Sequence, residues 1–435
     1  MEEFICENLG VTPSGHLTFA GQDTVLLAEK YQTPLYLMDE DRIRFNIGLY
    51  RNVMRECFPE GSGPLYAGKA ASFKQLYRIM KEEDAGIDVV SKGEIYTAAS
   101  AGFDMGRAFF HSNNKTDDDI SYAMDMGVGY FVADSREEVS AIEKIAAEKG
   151  RPQKLLLRLT PGIDPHTYAE VSTGRVDSKF GTAIETGQAE ELTCFTLSQK
   201  HIILSGFHCH VGSQVFYEDV FERAANVMLE FMKSVSVKYG YFADILDMGG
   251  GIGVRYTLSD PAVFVEERIR SLSAAIHEAA KRLDYPVPVI HMEPGRSIVA
   301  DAGMTLYTAG AVKKIPGYKN YVSVDGGMSD NPRYALYKAP CTCLPAGRMT
   351  APRDMMCSLV GRLCESGDIL QENIYLPSDT KRDDLIAVLT TGAYNYSMAS
   401  NYNRLPRPPI VMLKGGESYI AVRRETPEDV AALDM

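Results

Sequence analysis

Short apolar runs alternate with longer amphipathic stretches from about residue 34 to residue 300. Each run is continuous and rich in β-branched or aromatic residues, which is typical of strands that are buried on both faces of a parallel sheet. We predict eight strands of this kind: PLYAGKA (64–70), GIDVVS (86–91), AFFHS (108–112), GYFVAD (129–134), KLLLRLT (154–160), LSGFHCHV (204–211), DILDMGG (244–250) and PVIHMEP (288–294).

The stretches between these runs have the periodicity of helices. In SREEVSAIEKIAAEKG (135–150), Ser135 is a suitable N-cap and Gly150 a suitable terminator. Eight strand–helix units in roughly 240 residues favour an α/β fold of the (β/α)₈ TIM-barrel type. An open, doubly wound sheet has the same periodicity and stays an alternative.

The pattern changes after about residue 305, where short strand-like runs are separated by Gly, Pro, Asn and Asp. This texture predicts a C-terminal all-β, Greek-key-like domain, and the turn-rich N-terminal segment is expected to pack with it. We therefore predict an N-terminal segment (1–33), a barrel (34–304) and a β-domain (305–435). The long polar connection at 162–185 is interpreted as a lid.

The formal net charge of −13 over 435 residues argues against nucleic acid and anionic membranes as main partners. The N-terminus MEEFICENLG is acidic and does not resemble a signal peptide, so we expect a cytoplasmic protein. The eight cysteines are scattered and form no pair of CxxC motifs, which predicts reduced thiols and no structural zinc.

Three local features carry candidate chemistry at predicted strand ends. Lys69 ends the first strand, where desolvation favours a neutral amine that attacks a carbonyl. The run DMGGGIGV (247–254) allows backbone N–H groups to approach a phosphate, and Glu293 follows the last strand. Taken singly, a solvated lysine, a tight turn and a structural Glu–Arg pair with Arg296 explain these features equally simply. Together, a lysine, a phosphate cradle and a carboxylate are what pyridoxal 5'-phosphate requires.

The stretch GFHCHVGSQ (206–214) places two histidines on either side of Cys209. Side chains alternate along a strand, so His208 and His210 share a face and Cys209 points away from it. With no third ligand to nominate, we expect no metal here. We predict instead that His210, which runs into Gly212 and Ser213, stacks against an aromatic cofactor ring.

Ten stretches, in order from about residue 65 to 400, resemble the fold-type III pyridoxal-phosphate decarboxylases. They are LYAGKA, DVVSKGE, HSNNKT, TGRVDSKFG, FHCHVGSQ, DMGGGIGV, EPGRSIVAD, VDGGMSDNPRYALY, LCESGDIL and TGAYNYSMAS. The resemblance implies a barrel plus a β-domain, bound pyridoxal phosphate and a homodimer with active sites at its interface.

The resemblance also implies roles for individual residues. Lys69 is the Schiff-base lysine, His210 the ring-stacking residue and Glu293 the partner of the pyridine nitrogen. Cys364 is the proton donor, which reaches into the site of the partner subunit. The phosphate holders are Ser213, Gly250, Gly251, Gly295, Arg296 and Tyr394; the supports of the lysine and ring pocket are Asp88 and Glu94; and the substrate-binding set is Arg296, Arg333, Tyr337, Glu365 and Tyr394.

Two positions depart from the family pattern: Ala71 replaces an Asn, and Lys92 in SKGE replaces a Gly. Within the family, the arginine in DNPRYALY favours a substrate with a distal carboxylate, because a guanidinium pairs with carboxylates. The resemblance implies decarboxylation of meso-2,6-diaminopimelate at its D-centre to L-lysine and CO2, the last step of lysine biosynthesis, and this arginine supports that substrate. The alternatives are a sister decarboxylase of ornithine, arginine or a carboxylated polyamine, an inactive regulatory homologue, and a racemase on the same barrel.

Overall fold

The computed structural model describes residues 4–164, 178–217 and 219–435. Within those ranges the strands are β1 (Leu9–Val11), β2 (Leu17–Phe19), β3 (Gln22–Asp23), β4 (Leu35–Asp39), β5 (Gly63–Ala67), β6 (Gly86–Val89), β7 (Ala108–Phe110), β8 (Tyr130–Ala133), β9 (Gln153–Thr160), β10 (Thr182–Ala183), β11 (Ile202–His208), β12 (Ile245–Asp247), β13 (Val289–Met292), β14 (Gly303–Ile315), β15 (Lys319–Val324), β16 (Cys343–Pro345), β17 (Met355–Val360), β18 (Ile369–Leu376), β19 (Leu385–Leu389), β20 (Ile410–Lys414) and β21 (Glu417–Val422). The helices are α1 (Thr24–Tyr31), α2 (Glu40–Cys57), α3 (Lys74–Glu82), α4 (Lys92–Ser100), α5 (Asp117–Asp125), α6 (Arg136–Lys149), α7 (Gln188–Leu197), α8 (Asp219–Tyr239), α9 (Val265–Leu283), α10 (Arg296–Val299), α11 (Arg333–Tyr337) and α12 (Pro427–Ala431).

The chain divides into two compact units, which we call the barrel unit and the β-rich unit. The barrel unit comprises residues 46–253 and 263–295, and the β-rich unit comprises 1–45, 254–262 and 296–435. The predicted domain limits at 33/34 and 304/305 stay a prediction. The interpretation of 162–185 as a lid falls largely on 165–177, outside the described residues.

The barrel unit is a closed parallel barrel of eight strands. Its strands pair in the order β5, β6, β7, β8, β9, β11, β12 and β13, and β13 pairs with β5 to close the cylinder. The eight strands predicted from the apolar runs are confirmed, and the open doubly wound sheet is not the fold. Some strands end earlier than their apolar runs; β5 ends at Ala67, and a short turn that begins at Gly68 follows it. Lys69 lies in this single 3-10 turn.

The helix predicted at 135–150 is confirmed with both caps. Ser135 has extended backbone and its hydroxyl accepts from the N–H of Glu138, while Gly150 ends α6 with φ 65°. Because Gly has no Cβ, it adopts this left-handed conformation without strain. Local signals of this kind place each helix between two parallel strands and so direct every strand's carboxyl end to the same mouth of the barrel.

The β-rich unit takes strands from both ends of the chain. Its large sheet has the order β18, β17, β15, β14, β4, β20 and β21, with β19 pairing both β14 and β16. β4 lies between β14, to which it is antiparallel, and β20, to which it is parallel. Leu17, Phe19 and Leu35 pack with Met304 and Val411 in one core cluster. The N-terminal segment therefore packs with C-terminal strands, as its composition predicts.

A second core cluster of this unit lies around Tyr307, Val322, Leu359 and Ile386. Burial of such side chains from water is the main stabilisation of a sheet of this size. Among the helices that the structure describes, none has the length and apolarity needed to cross a membrane.

Candidate active site

The carboxyl ends of the barrel strands carry a cluster of polar side chains. Five of them are buried, and each comes from a different strand or from the residue directly after it: Asp88 from β6, His111 after β7, His208 from β11, Asp247 from β12 and Glu293 after β13. Buried ionisable groups are rare unless they pair with one another, and their convergence in one place is typical of a functional site.

Lys69 faces the acidic side of this cluster. Its Nζ lies 3.8 Å from Asp88 Oδ2, and its side chain is 44% exposed whereas that of Asp88 is 1% exposed. Burial raises the pKa of Asp88, and the nearby charges of His111 and Lys69 oppose that shift. Neither carboxylate oxygen of Asp88 makes a hydrogen bond of normal geometry within the described ranges. The lysine can therefore reach the open mouth while a buried carboxylate stands behind it.

Glu94 supports the same corner from α4. Its Oε2 accepts a hydrogen bond of 2.6 Å from the N–H of Val90, just after β6. Burial raises the pKa of Glu94 to about 7, and the charge of Asp88 adds to the shift. Gly68 is required beside it, because a Cβ there would lie 2.8 Å from Tyr77 Oη and 3.1 Å from Asp88 O.

Glu293 lies between two imidazoles. Its Oε1 is 2.7 Å from His111 Nε2, and its Oε2 is 3.2 Å from His208 Nε2. Burial by itself would raise the pKa of Glu293, but the two histidines outweigh it and hold that pKa well below its usual range. Burial lowers the pKa of His208 to about 4, so its ring is neutral near pH 7. We expect Nε2 to carry its proton, since Nε2 faces the carboxylate.

Asp247 is a second buried carboxylic acid, in contact with Glu293. Burial raises its pKa well above the usual range, and the neighbouring charge of Glu293 adds to the shift. Two buried carboxyl groups in contact keep one proton between them, because both cannot ionise at that distance. We place the proton on Asp247, whose Oδ1 accepts one backbone N–H among the described residues, that of Gly249, at 2.8 Å. Glu293 is then the ionised member.

His111, His208, Asp247 and Glu293 also form a group whose donor atoms all lie within 4.8 Å of one another. Two imidazoles and two carboxylates are ligands that a divalent metal accepts. The sequence suggested no third ligand to accompany His208 and His210. The structure places three other candidate ligands beside His208, whereas His210 lies outside this group. Because Glu293 engages both imidazoles, the set has a metal-free explanation, and the absence of a metal stays a prediction.

The glycine-rich loop after β12 lies against the segment after β11. Gly250 N–H donates to His210 Nδ1 at 3.2 Å, and Val215 N–H donates to Gly251 O at 2.9 Å. A Cβ on Gly250 would lie 2.1 Å from Glu293 O, and one on Gly251 would lie 2.0 Å from Gly212 O. Only glycine fits at these positions, so the loop is a cradle made of bare backbone.

The structure therefore brings Ser213, Gly250, Gly251 and His210 to one part of the barrel mouth. Gly295 lies there too, because a Cβ on it would be 3.0 Å from the Cβ atoms of Ala67 and Ala70, beside Lys69. Burial lowers the pKa of His210 well below its ordinary value, with the Lys69 charge adding to the shift. A neutral, flat imidazole at this place is suited to contact an aromatic ring.

The two departures from the family pattern leave this mouth intact. Lys92, at the start of α4, forms an ion pair with Asp118 of α5, so its ammonium is engaged away from Lys69. Ala71 is buried, and its carbonyl accepts a hydrogen bond of 2.8 Å from Tyr66 Oη.

The β-rich unit carries a second cluster, of arginines and tyrosines. Arg296 donates to Tyr256 Oη at 2.7 Å, and its Cζ lies 4.7 Å from the ring centre of Tyr394. Arg333 Cζ lies 3.5 Å above the ring of Tyr256. Cation–π contacts of this kind orient guanidinium groups while leaving their N–H donors available. Arg333 Nε is buried and makes no hydrogen bond among the described residues.

Cys364 lies on an exposed loop of the same unit, next to Glu365. Its backbone N–H donates to Asn403 Oδ1 at 2.8 Å. The loop is anchored by the buried carboxylate of Asp368, which accepts from the N–H groups of Met328 and Leu363 at 2.7 and 2.8 Å. The thiol is thus presented on a fixed backbone at the surface of the chain.

Sequence reasoning missed three residues of these clusters, His111, Asp247 and Tyr256, and one contact, that of His208 with Glu293. His111 lies in HSNNKT and Asp247 opens DMGGG, so two matched stretches contained the signal without a stated role. Tyr256 carries no local signal, because its importance comes from two arginines that lie 40 and 77 positions further along the chain.

Comparison with known proteins gives the family. Residues 49–300 match the family described as pyridoxal-dependent decarboxylase, pyridoxal binding domain. A diaminopimelate decarboxylase of Bacillus subtilis (strain 168) is 42% identical over 421 residues, which cover 97% of this chain and 95% of that protein. This chain belongs to the diaminopimelate decarboxylase family.

Solved structures of the family agree with this assignment. The enzyme from M. jannaschii in complex with L-lysine superposes with a TM-score of 0.89 at 29% identity, covering 99% of this chain and 98% of that one. The enzyme from Helicobacter pylori complexed with L-lysine gives 0.85 at 30% identity, covering 95% and 99%.

The barrel mouth fits the pyridoxal group that the family name implies. Lys69 lies beside the buried carboxylate of Asp88. Glu293 is ionised, and its Oε1 makes no hydrogen bond of normal geometry among the described residues. The glycine loop exposes backbone that no side chain covers. An amine, an anion and a bare backbone cradle are the groups that an aldehyde, a pyridine nitrogen and a phosphate each require.

Proposed function

We propose that this chain decarboxylates meso-2,6-diaminopimelate at its D-centre to give L-lysine and CO2, using pyridoxal 5'-phosphate. The bond between the D-configured α-carbon and its carboxylate breaks, CO2 leaves, and a proton takes its place on that carbon. The observation that carries the proposal is that Lys69, Glu293 and the glycine loop lie at one mouth of the barrel. Sequence identity of 42% to a diaminopimelate decarboxylase supports the substrate.

Bound pyridoxal phosphate supplies an electron sink for the pair of electrons that CO2 leaves behind. In this chain Lys69 would hold its aldehyde, and Glu293 would keep its ring nitrogen protonated. Ser213, Gly250, Gly251, Gly295, Arg296 and Tyr394 would hold its phosphate, and His210 would contact its ring. Asp88 and Glu94 would support Lys69.

The protein selects which bond breaks by orienting the substrate. A carboxylate at the distal L-centre requires a cationic partner, and Arg296 and Arg333 are the arginines that Tyr256 orients. Tyr337, Tyr394 and Glu365 complete the proposed substrate-binding set. An amine-ended substrate such as ornithine would leave both guanidinium groups facing a like charge, which disfavours binding.

Cys364 is the proposed donor of the proton to the α-carbon. Its thiol is on an exposed loop, so we propose that it completes the site of a partner subunit in a homodimer. A thiol carries an acidic proton and is therefore suited to act as a proton donor.

The direct test is to incubate the protein with pyridoxal phosphate and meso-diaminopimelate and to measure L-lysine and CO2. We expect equimolar formation of both, and no product when Lys69 is replaced by Ala. Borohydride reduction followed by peptide mass mapping should fix the cofactor to Lys69. Lysine formation by the Lys69→Ala variant, or turnover of ornithine or arginine in preference to diaminopimelate, would contradict the proposal.

A further inference from the structure

His111 is the residue of the barrel mouth that the proposed function leaves without a role. It follows β7 directly, and its backbone N–H donates to Val89 O at 2.8 Å, which fixes its position beside β6. Its side chain is buried, and its ring meets that of His208 edge to face, with centres 4.9 Å apart. The orientation of its imidazole is therefore set by packing on two sides.

The Nε2 atom of His111 lies between two carboxylates. It is 2.7 Å from Glu293 Oε1 and 3.8 Å from Asp88 Oδ1. The other oxygen of Asp88 is 3.8 Å from Lys69 Nζ. A row of neighbouring side chains thus extends from the amine of Lys69 through Asp88 and His111 to Glu293. All four residues belong to the barrel unit.

Three of these groups, Asp88, His111 and Glu293, are buried but incompletely hydrogen-bonded. His111 Nε2, Glu293 Oε1 and both oxygens of Asp88 make no hydrogen bond of normal geometry among the described residues. Buried polar atoms without such partners are unstable unless a ligand completes them. Because the short His111–Glu293 contact is off the ideal hydrogen-bond line, Glu293 Oε1 retains the capacity to accept from a ligand.

We propose that His111 is a positioning residue that holds Glu293 as an anion aimed at the cofactor nitrogen and ties it to Asp88, behind Lys69. This inference rests on the proposed function, because it takes Glu293 as the partner of that nitrogen. A carboxylate 2.7 Å from an imidazole N–H is a weaker base than one without that neighbour. With His111 in place, the proton shared between Glu293 and the ring nitrogen of bound pyridoxal phosphate would stay on that nitrogen; without His111, Glu293 would compete for it.

The decisive measurement is the nitrogen-15 NMR resonance of ring-labelled pyridoxal phosphate bound to the protein. We expect the wild-type signal at the position of a protonated ring nitrogen. His111→Phe keeps a ring of similar shape but removes the N–H, and should move the signal towards that of a neutral nitrogen. Cofactor affinity, measured by titration of the apoprotein, should fall about tenfold, the loss expected for one hydrogen bond to a charged group.

Two further variants separate this role from a merely structural one. His111→Gln retains an N–H donor and should restore the resonance in part, even if His111→Phe folds poorly by circular dichroism. The matched control is His201→Gln, which removes another imidazole–carboxylate pair of the barrel unit, with Glu143 at 2.8 Å. It should change neither the resonance nor the affinity.

An unchanged nitrogen resonance in folded His111→Phe, with the wild-type signal protonated, would overturn the role of His111 and leave the proposed function standing. Failure of the wild-type protein to bind pyridoxal phosphate at all would instead remove the proposed function. The two failures are therefore distinguished by the wild-type spectrum alone.

Discussion

The guanidinium of Arg333 packs on an aromatic ring. Among the described residues, no carboxylate lies within hydrogen-bond distance of it. The guanidinium lies 3.5 Å above the ring of Tyr256, which also accepts a hydrogen bond from Arg296. One buried tyrosine thus orients two cations, and neither is neutralised by it. Arg333, which has no carboxylate at hydrogen-bond distance among the described residues, is well placed to bind an external carboxylate.

Replacing Arg333 by Ala should therefore weaken substrate binding specifically. We expect the KM for meso-diaminopimelate to rise about tenfold or more, the range expected for a lost charge-assisted hydrogen bond. The dissociation constant of pyridoxal phosphate should stay within about twofold, because the cofactor contacts of the barrel mouth are untouched. Steady-state kinetics and cofactor titration provide the two numbers.

A suitable control is Arg348→Ala in the same unit. Arg348 is paired with Asp379 and Asp384 at 2.9 and 2.7 Å, so its charge is used inside the protein. It should leave KM unchanged. Equal losses of substrate and cofactor affinity in Arg333→Ala would refute the assignment of that residue to the substrate.

At the scale of elements, the loop after β12 depends on the absence of side chains. Gly250 lacks a positive φ, so its requirement for glycine is purely steric: an added Cβ would lie 2.1 Å from Glu293 O. The same backbone donates to His210 Nδ1. A displaced loop would therefore disturb the cradle, the stacking residue and the carboxylate segment together.

We expect Gly250→Ala to lower pyridoxal phosphate affinity at least about tenfold, because backbone donors move away from the phosphate. Gly63→Ala, at the start of β5, is the matched control: its Cβ would meet nothing within 4 Å, and its φ is also not positive. It should bind the cofactor as the wild type does. Cofactor titration that finds the two variants alike would exclude the loop as a phosphate cradle.

The elements were more predictable than the contacts between them. Continuous apolar runs such as KLLLRLT and a capped helix from Ser135 to Gly150 are determined by neighbouring residues, so eight strands and α6 were found from the sequence. Lys69, Glu293 and the glycine run were found because each sits at a strand end within its own motif. The links between Glu293 and His111 or His208 were not, because they join residues 182 and 85 positions apart, and no local pattern encodes such a distance.

At the scale of the whole molecule, the proposed reaction would take Cys364 from a second subunit. The barrel unit supplies Lys69 and Glu293, and the β-rich unit supplies Cys364 on an exposed loop held by Asn403 and Asp368. Sites shared across a twofold axis occur in identical pairs, so a symmetric dimer would contain two of them.

Mixing two inactive variants tests this arrangement. Lys69→Ala and Cys364→Ala should each form lysine slowly or not at all. After subunit exchange, half of the sites in a mixed dimer would regain both residues, and random mixing should restore about a quarter of wild-type activity. No recovery in a sample shown by native mass spectrometry to contain mixed dimers would mean that Cys364 serves its own subunit.

The pairing of β4 with β14 and β20 determines when each part of the chain can fold during synthesis. Leu35–Asp39 leaves the ribosome early, but its neighbours Gly303–Ile315 and Ile410–Lys414 are made much later. The barrel strands, which end at Met292, are complete first, and domains tend to fold as soon as they are complete. The strand Leu35–Asp39 must therefore wait, with its apolar side chains unpacked, until its partner Ile410–Lys414 has been synthesised.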